Sequence, residues 1–312
     1  MCRGLSATDV MPTTQAELVV DARNGTGESP VWHAAEQALY WVDIPARKLC
    51  RWRLADSSFR QWTAPEMIAC IAPMAGSGNW IGAAESGLFE LSVGKGSALG
   101  FDLLAHVDHA SAGMRFNDGR CDRQGRFLAG TMVMNMAIGA NTGCIYSYQK
   151  NSKLRLLVDD LITPNGMAFS PDGRTMYLSD SHPSVQSVWA FDYDTDTGTP
   201  SKRRLFVDMK ALPGRPDGAA IDTDGCYWIC GNDAGLVHRF TPDGKLDYSL
   251  SVPVKKPAMC AFGGAGLDVL FVTSIRPEGI DLSDQPLAGG VFALRPGVVG
   301  MADALFRADM PN

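Results

Sequence analysis

The sequence predicts an all-β chain, a six-bladed β-propeller, and three observations carry that prediction. One short motif recurs six times. Further strand-length apolar runs separate its copies, and no helical period of 3.6 persists over three turns anywhere.

The motif is a small or polar start, a short apolar run, a turn and an apolar strand. It runs from Gly27-Glu28-Ser29-Pro30-Val31-Trp32 to Tyr40-Trp41-Val42-Asp43, from Ile68-Ala69-Cys70-Ile71 to Trp80-Ile81-Gly82, and from Phe116-Asn117-Asp118-Gly119-Arg120-Cys121 to Phe127-Leu128-Ala129-Gly130. It returns from Pro164-Asn165-Gly166-Met167-Ala168-Phe169 to Tyr177-Leu178-Ser179-Asp180, from Pro216-Asp217-Gly218-Ala219-Ala220-Ile221 to Trp228-Ile229-Cys230-Gly231, and from Pro257-Ala258-Met259-Cys260-Ala261-Phe262 to Phe271-Val272-Thr273. Counted from Glu28 through Ala69, Asn117, Asn165 and Asp217 to Ala258, the units are spaced by 41, 48, 48, 52 and 41 residues. Pro171-Asp172-Gly173, Asp224-Gly225 and Gln124-Gly125 supply the positive φ that hairpin turns demand. Further strands follow, as at Gly143 to Tyr148, Val188 to Asp192 and Gly290 to Leu294, so each unit holds three or four. Four strands in roughly 40–50 residues make a propeller blade. A β-sandwich would not repeat one motif six times.

Length and composition bound the rest. A chain of 312 residues suggests about two domains by length alone, but a propeller uses the same length as one. The expected organisation is a loose polar extension over residues 1–16 and a single propeller over 17–312. The formal net charge is −6, and no run of Lys or Arg forms a basic stripe, which argues against a nucleic-acid partner. No window approaches 18 consecutive apolar residues, so no membrane span is expected, and the first residues lack the apolar stretch of a secretory signal. Eight cysteines are scattered with no CxxC, the nearest pair being Cys226 and Cys230. Buried reduced thiols in a cytoplasmic protein are the expectation.

In a propeller the first strand of each blade lines a central channel, and equivalent positions of successive blades share one ring. Here the ring is Glu28, Ala69, Asn117, Asn165, Asp217 and Ala258: four polar side chains and two small ones. Carboxylates crowded in a narrow channel are costly unless compensated, and a cation compensates them directly. Carboxylates and amides are hard oxygen donors, suited to Ca²⁺, Mg²⁺ or Mn²⁺, or to Zn²⁺ or Fe²⁺ in an open site completed by water. No His or Cys falls on the ring, against a closed structural zinc site. The competing reading is structural: Asn and Asp cap turns, and Glu28 pairs with Arg115 or Arg120. Arg115, two residues before Asn117, reaches the same channel mouth with a fixed donor fork. Asp118, followed by Gly119, is read as shaping the strand entry. His106 and His109 are read as loop residues, His182 as a rim position, Glu85-Ser86-Gly87 as a turn, and Trp32, Trp41 and Trp228 as core.

These segments resemble the senescence marker protein, gluconolactonase and luciferin-regenerating enzyme family of regucalcin-like sugar lactonases. The resemblance rests on Gly27 to Trp32, Arg115-Phe116-Asn117-Asp118-Gly119, Ala129-Gly130-Thr131-Met132, Pro164 to Asp172, Arg215-Pro216-Asp217-Gly218, and Pro286-Leu287-Ala288-Gly289-Gly290-Val291-Phe292. It implies one divalent metal ion on Glu28, Asn165 and Asp217, with Arg115 and Asn117 facing the substrate. A third substrate position, acidic in regucalcin-like members, falls on Asn135, an amide that donates where a carboxylate cannot.

The implied activity is metal-dependent hydrolysis of sugar lactones to aldonic acids, with Asp217 steering the water as base and Arg115 and Asn117 holding sugar hydroxyls or the developing oxyanion. A serine nucleophile is disfavoured because no Gly-x-Ser-x-Gly elbow exists. Three rivals stay open: an esterase of other lactone-like substrates, a non-catalytic calcium-binding propeller, and a strictosidine-synthase-like condensing enzyme. The polar ring disfavours the last.

Overall fold

In the computed structural model, which describes residues 15–150 and 152–308, the β-rich runs form 24 strands. After β1 (Glu17–Val20) come β2 (Gly27–His33), β3 (Ala38–Asp43), β4 (Lys48–Arg53) and β5 (Phe59–Thr63), then β6 (Ile68–Pro73), β7 (Trp80–Ala84), β8 (Gly87–Val93) and β9 (Leu99–His106). The third set is β10 (Met114–Cys121), β11 (Phe127–Val133), β12 (Gly143–Tyr148) and β13 (Arg155–Leu161); the fourth is β14 (Pro164–Phe169), β15 (Thr175–Asp180), β16 (Ser187–Asp194) and β17 (Thr199–Asp208). Then follow β18 (Arg215–Ile221), β19 (Tyr227–Asn232), β20 (Leu236–Phe240) and β21 (Leu246–Ser251), and last β22 (Pro257–Gly263), β23 (Val269–Ser274) and β24 (Val291–Leu294). The only helical pieces among the described residues are two short 3₁₀ turns, Met136–Ile138 and Met209–Ala211. Among the described residues no helix is long and apolar enough to cross a membrane.

Five sheets are four-stranded meanders in chain order, β2 to β5 through β18 to β21. The sixth is β22-β23-β24-β1, in which the N-terminal strand pairs antiparallel with β24, Glu17 opposite Ala293 and Leu18 opposite Phe292. The sixth blade is thereby built with chain from both ends, β1 forming its outermost strand. The fold is therefore an all-β, six-bladed propeller. Strand β1 lies within the expected propeller span; the expected loose extension falls on residues of which 1–14 lie outside the described ones.

Burial falls from the axis outward. The second strands β3, β7, β11, β19 and β23 are buried throughout, because apolar neighbours cover both faces. Outer strands such as β5 and β13 are largely exposed. Aromatic rings fill the wedges between blades: Tyr40 against Trp80 with centroids 4.4 Å apart, Tyr177 against Tyr227 at 5.0 Å, and Trp32 stacked on Phe271 at 5.5 Å. Trp41 and Trp228 are fully buried, as expected of core residues.

The residues after β24 cross one end of the channel. Gly300 N donates to Leu267 O, Met301 N to Ile221 O, Phe306 N to Pro73 O and Arg307 N to Gly125 O, so this segment bridges four blades. Phe306 is buried and stacks on Tyr148 at 5.9 Å. Asp303 faces Arg120 at 3.5 Å beneath the inner strands. All these anchors are at the C-terminal ends of inner strands or the turns after them. The opposite end, where the inner strands begin, is the mouth.

Candidate active site

The six ring positions lie on the six inner strands, β2, β6, β10, β14, β18 and β22, near their mouth ends. Each inner strand carries one extra residue relative to its partner at this level. The register jumps between Glu28 and Val31, Ile68 and Cys70, Phe116 and Gly119, Asn165 and Ala168, Pro216 and Ala219, and Pro257 and Cys260. A bulge leaves a residue outside the ladder and re-aims its side chain. Repeated six times, it interrupts the ladder at or directly beside the ring residues, with Glu28 still paired to Val42 and Asn165 to Ser179. Glycines make room for it: Gly166 holds φ +59, and a Cβ there would lie 2.6 Å from Tyr227 Oη and 2.7 Å from Ser179 Oγ.

Side-chain bonds then fix the ring. Asn165 Nδ2 donates to Ser181 Oγ at 2.7 Å, and Ser181 Oγ donates on to Pro216 O, next to Asp217. The amide nitrogen is thereby occupied, and the Asn165 carbonyl oxygen is left as its free donor atom toward a cation. Asn232 Nδ2 donates to Asp217 Oδ2 at 2.6 Å. Asn117 accepts from Arg115 Nη1 at 2.9 Å and donates to Pro164 O at 3.0 Å, bridging blades three and four. Of the competing structural pairings of Glu28, the one with Arg120 is not formed: Arg120 bonds Ala219 O at 2.6 Å and faces Asp303.

The electrostatics show the acids to be neighbours. Burial pushes the Glu28 carboxyl well above its usual range, and Asp217 and Asp118 push it further. Asp217 is pushed up to about 7, by burial first, against the opposing pull of the Asn232 bond and Arg215. Asp118 is raised by burial too. Its Oδ2 accepts from Met167 N at 2.9 Å, which agrees with a shaping role, but Oδ1 is buried without a hydrogen-bond partner of good geometry. Burial draws the Arg115 guanidinium down while Glu28 opposes that shift. Asp118 and Asp217 are buried and Glu28 is half-buried, and the neighbouring cations Arg115, Arg120 and Arg215 offset this acidic group only in part.

Asn135 stands apart from this cluster. It is exposed on the loop between β11 and β12 at the mouth, where its Oδ1 caps the turn Met136–Ile138 by accepting from Ala137 N at 3.2 Å. His182 bonds Ser184 Oγ and Met136 O and reaches no ring residue by hydrogen bond. His106 ends β9 rather than lying in a loop, and His109 bonds Glu85 O at 2.7 Å, so the two do not form a metal pair. Among the described residues no cluster of three or more His, Cys, Asp or Glu side chains is arranged to hold a metal ion. Glu28, Asp217 and Asp118 are electrostatic neighbours, and Asn165 is tied through Ser181 to Pro216, the residue before Asp217.

Sequence reasoning missed Ser181 and Asn232, which orient Asn165 and Asp217. A signal did exist: each directly follows or ends the second strand of its blade, in Asp180-Ser181 and Asn232-Asp233. It also passed over Lys256, whose Nζ is 3.5 Å from Asn232 Oδ1 and pairs with Asp233, and the Arg215–Asp233 pair at 2.6 Å.

Residues 26–276 match the family model described as the SMP-30/Gluconolactonase/LRE-like region. The chain is 38% identical to a 6-deoxy-6-sulfogluconolactonase of Pseudomonas putida over 93% of its own length and 98% of that protein. It is 35% identical to regucalcin of Pongo abelii over 94% of its length and 98% of the relative. Among solved structures, a calcium-binding protein, regucalcin, from Agrobacterium tumefaciens superposes with a TM-score of 0.86 at 29% identity, covering 93% of this chain and 96% of that one. With its six blades, its bulged polar ring and this continuous similarity, the chain belongs to the SMP-30/gluconolactonase/LRE-like family.

Proposed function

We propose that this protein is a carboxylic-ester hydrolase that opens sugar lactones to aldonic acids with the help of one divalent cation held by Glu28, Asn165 and Asp217. The observation that supports the reading is that Glu28 and Asp217 destabilise each other's charged form on inner strands of different blades, with Asn165 tied through Ser181 to the residue before Asp217. The donor set suits a hard cation: oxygen ligands only, too few to complete its coordination without water or substrate. The Pseudomonas putida relative, named as a lactonase of a gluconolactone derivative, supports the substrate class.

The cation supplies Lewis acidity toward the lactone carbonyl and toward water. The protein supplies the rest. Asn232 holds Asp217 Oδ2, which leaves Oδ1 to accept the proton of the attacking water. Arg115 spends Nη1 on Phe116 O and Asn117 Oδ1, and its remaining N–H groups are the donors available to sugar or carbonyl oxygens. Asn117 places that fork and keeps one Nδ2 hydrogen for the substrate. Asn135 contacts the substrate from the rim. The segment across the far end closes that side, so lactone enters and acid leaves by the mouth. A cytoplasmic location is part of this reading, supported by seven unpaired cysteines among the described residues.

A panel of sugar lactones, followed by acid release with metal-stripped enzyme and added ions, tests the proposal. Metal binding without turnover of any lactone would favour a non-catalytic calcium-binding propeller, and preference for simple aryl esters would favour the esterase rival.

A further inference from the structure

The turn Glu85-Ser86, between β7 and β8, stands at the mouth and takes no part in the site described so far. Bonds from several segments hold it. Glu66 Oε1 accepts from Ser86 N at 3.1 Å and from Ser86 Oγ at 2.9 Å. His109 Nε2 donates to Glu85 O at 2.7 Å, and His106 Nδ1 to Ser86 O at 3.0 Å. Val107 N donates to Ser86 O as well, at 3.2 Å. A turn fixed by this many bonds has little backbone freedom left to lose when its side chain takes a partner.

Other blades show what an acid does here when it only closes the strand entry. On blades one and four an aspartate ends the second strand, Asp43 opposite Gly27 and Asp180 opposite Pro164. Each uses both oxygens on the chain entering its inner strand: Asp43 accepts from Gly25 and Thr26 N, Asp180 from Ile162 and Thr163 N. On blade two Ala84 stands at that register, opposite Ile68, and the acid comes one residue later with one more methylene. Glu85 uses only Oε2, which accepts from Met67 N at 2.9 Å. That bond ties the carboxylate to the mouth end of an inner strand, two residues before the ring position Ala69. Its Oε1 has no hydrogen-bond partner among the described residues, and the side chain is half-buried. The charge also reaches Arg115: burial draws that guanidinium down, and Glu28 first and then Glu85 oppose the shift.

A sugar hydroxyl brings a proton that must be accepted, and the other side chains assigned to the substrate offer it N–H groups. Arg115 has no acceptor, Asn117 Oδ1 already accepts from Arg115 Nη1, and Asn135 Oδ1 from Ala137 N. Resting on the lactonase reading above, we infer that Glu85 is a specificity-determining residue for that reaction: its Oε1 accepts the proton of one ring hydroxyl of the lactone, while Arg115 donates to a neighbouring oxygen. The substrate so selected is a polyhydroxylated lactone with that hydroxyl free, in preference to one deoxygenated there. A hydrogen bond to a carboxylate is stronger than one to a neutral acceptor, and a lactone lacking the hydroxyl displaces water from the carboxylate without replacing it.

The test uses metal-loaded enzyme, gluconolactone and analogues that each lack one ring hydroxyl, with calorimetry on the matching aldonates in parallel. For one analogue, wild-type kcat/KM is expected to lie about tenfold or more below that for gluconolactone, the scale of one hydrogen bond to a charged group. Glu85→Gln keeps the length and an acceptor for Met67 N but removes the charge; Glu85→Ala removes both. The preference should shrink about threefold or more in Glu85→Gln and disappear in Glu85→Ala, because KM rises for gluconolactone and not for the analogue. A residue that only closes the strand entry would lower turnover of both lactones together and leave their ratio unchanged. That result, or a wild type that treats every analogue like gluconolactone, overturns the inference, while turnover of gluconolactone still upholds the lactonase reading. If no lactone opens, that reading fails, and calorimetry still decides the role of Glu85. Tighter binding of gluconate than of one deoxy aldonate, lost in Glu85→Ala, supports it, and equal binding of them all sinks it.

Discussion

Asn232 Nδ2 donates to Asp217 Oδ2 across 2.6 Å, so the carboxylate proposed as base is held by an amide from the neighbouring strand of its own blade. Partners of this kind that orient a metal ligand are worth about 10–100-fold in activity or affinity when lost. Asn232→Ala is expected to lower kcat for lactone opening about tenfold or more while the fold persists. Steady-state kinetics at saturating metal, with circular dichroism as the control, measure this; unchanged kcat would make the bond incidental.

Removing the base itself should be more severe. Asp217→Ala is expected to abolish lactone opening in a folded protein, and Glu28→Gln to weaken metal binding and activity together. Chelation should stop turnover, and one of Mn²⁺, Mg²⁺, Ca²⁺, Zn²⁺ or Fe²⁺ should restore it. Turnover retained by metal-stripped Asp217→Ala enzyme would remove the cation from the mechanism.

The raised carboxyls of Glu28 and Asp217 predict an unusual pH dependence of stability. Both groups have folded-state pKa values above their unfolded values, Asp217 at about 7. Between about pH 4 and pH 7 the folded chain therefore binds more protons than the unfolded one, and stability contributed here falls as pH rises. Metal-stripped protein should gain Tm on acidification from pH 7 toward pH 5, and a bound divalent ion should flatten that trend. Parallel melting curves with and without chelator check it; identical pH profiles would separate the acids from any cation.

Gly166 sits beside Asn165 at φ +59 with no space for a Cβ. Gly166→Ala forces a strained backbone and displaces Tyr227, whose hydroxyl donates to Gly166 O at 2.7 Å. A loss of about 1–3 kcal/mol is expected in urea unfolding, with metal affinity falling too.

Phe306 tests the segment across the far end of the channel. It is buried, and Phe306→Ala should cost about 3–5 kcal/mol by the usual cost of emptying an aromatic site. A change below about 1 kcal/mol in denaturant midpoint analysis would show that this segment is draped over the propeller rather than packed into it.

Much of the architecture was legible because a blade cannot bury its faces alone, so its residues repeat. The copies at Glu28, Asn117, Asn165 and Asp217 mark equivalent positions without any structure. What stayed hidden has no period. Lys256 and Asp233 belong to different blades, and Arg120 meets Asp303 across 183 residues. Asp118, next to Gly119, reads in the sequence as shaping the strand entry; its buried Oδ1 without a partner appears only when blades three and four are side by side.

The sequence by itself determined six blades, the inner strands and the set of oxygen-bearing side chains on one ring, since local hydrophobic alternation and repeat spacing are written residue by residue. Only the tertiary structure decided that β1 completes the last blade, that residues beyond β24 cover one end of the channel, and that Ser181 and Asn232 hold Asn165 and Asp217. These depend on which distant segments compete best for the same edge, cavity or charge, and that competition is settled when the whole chain packs.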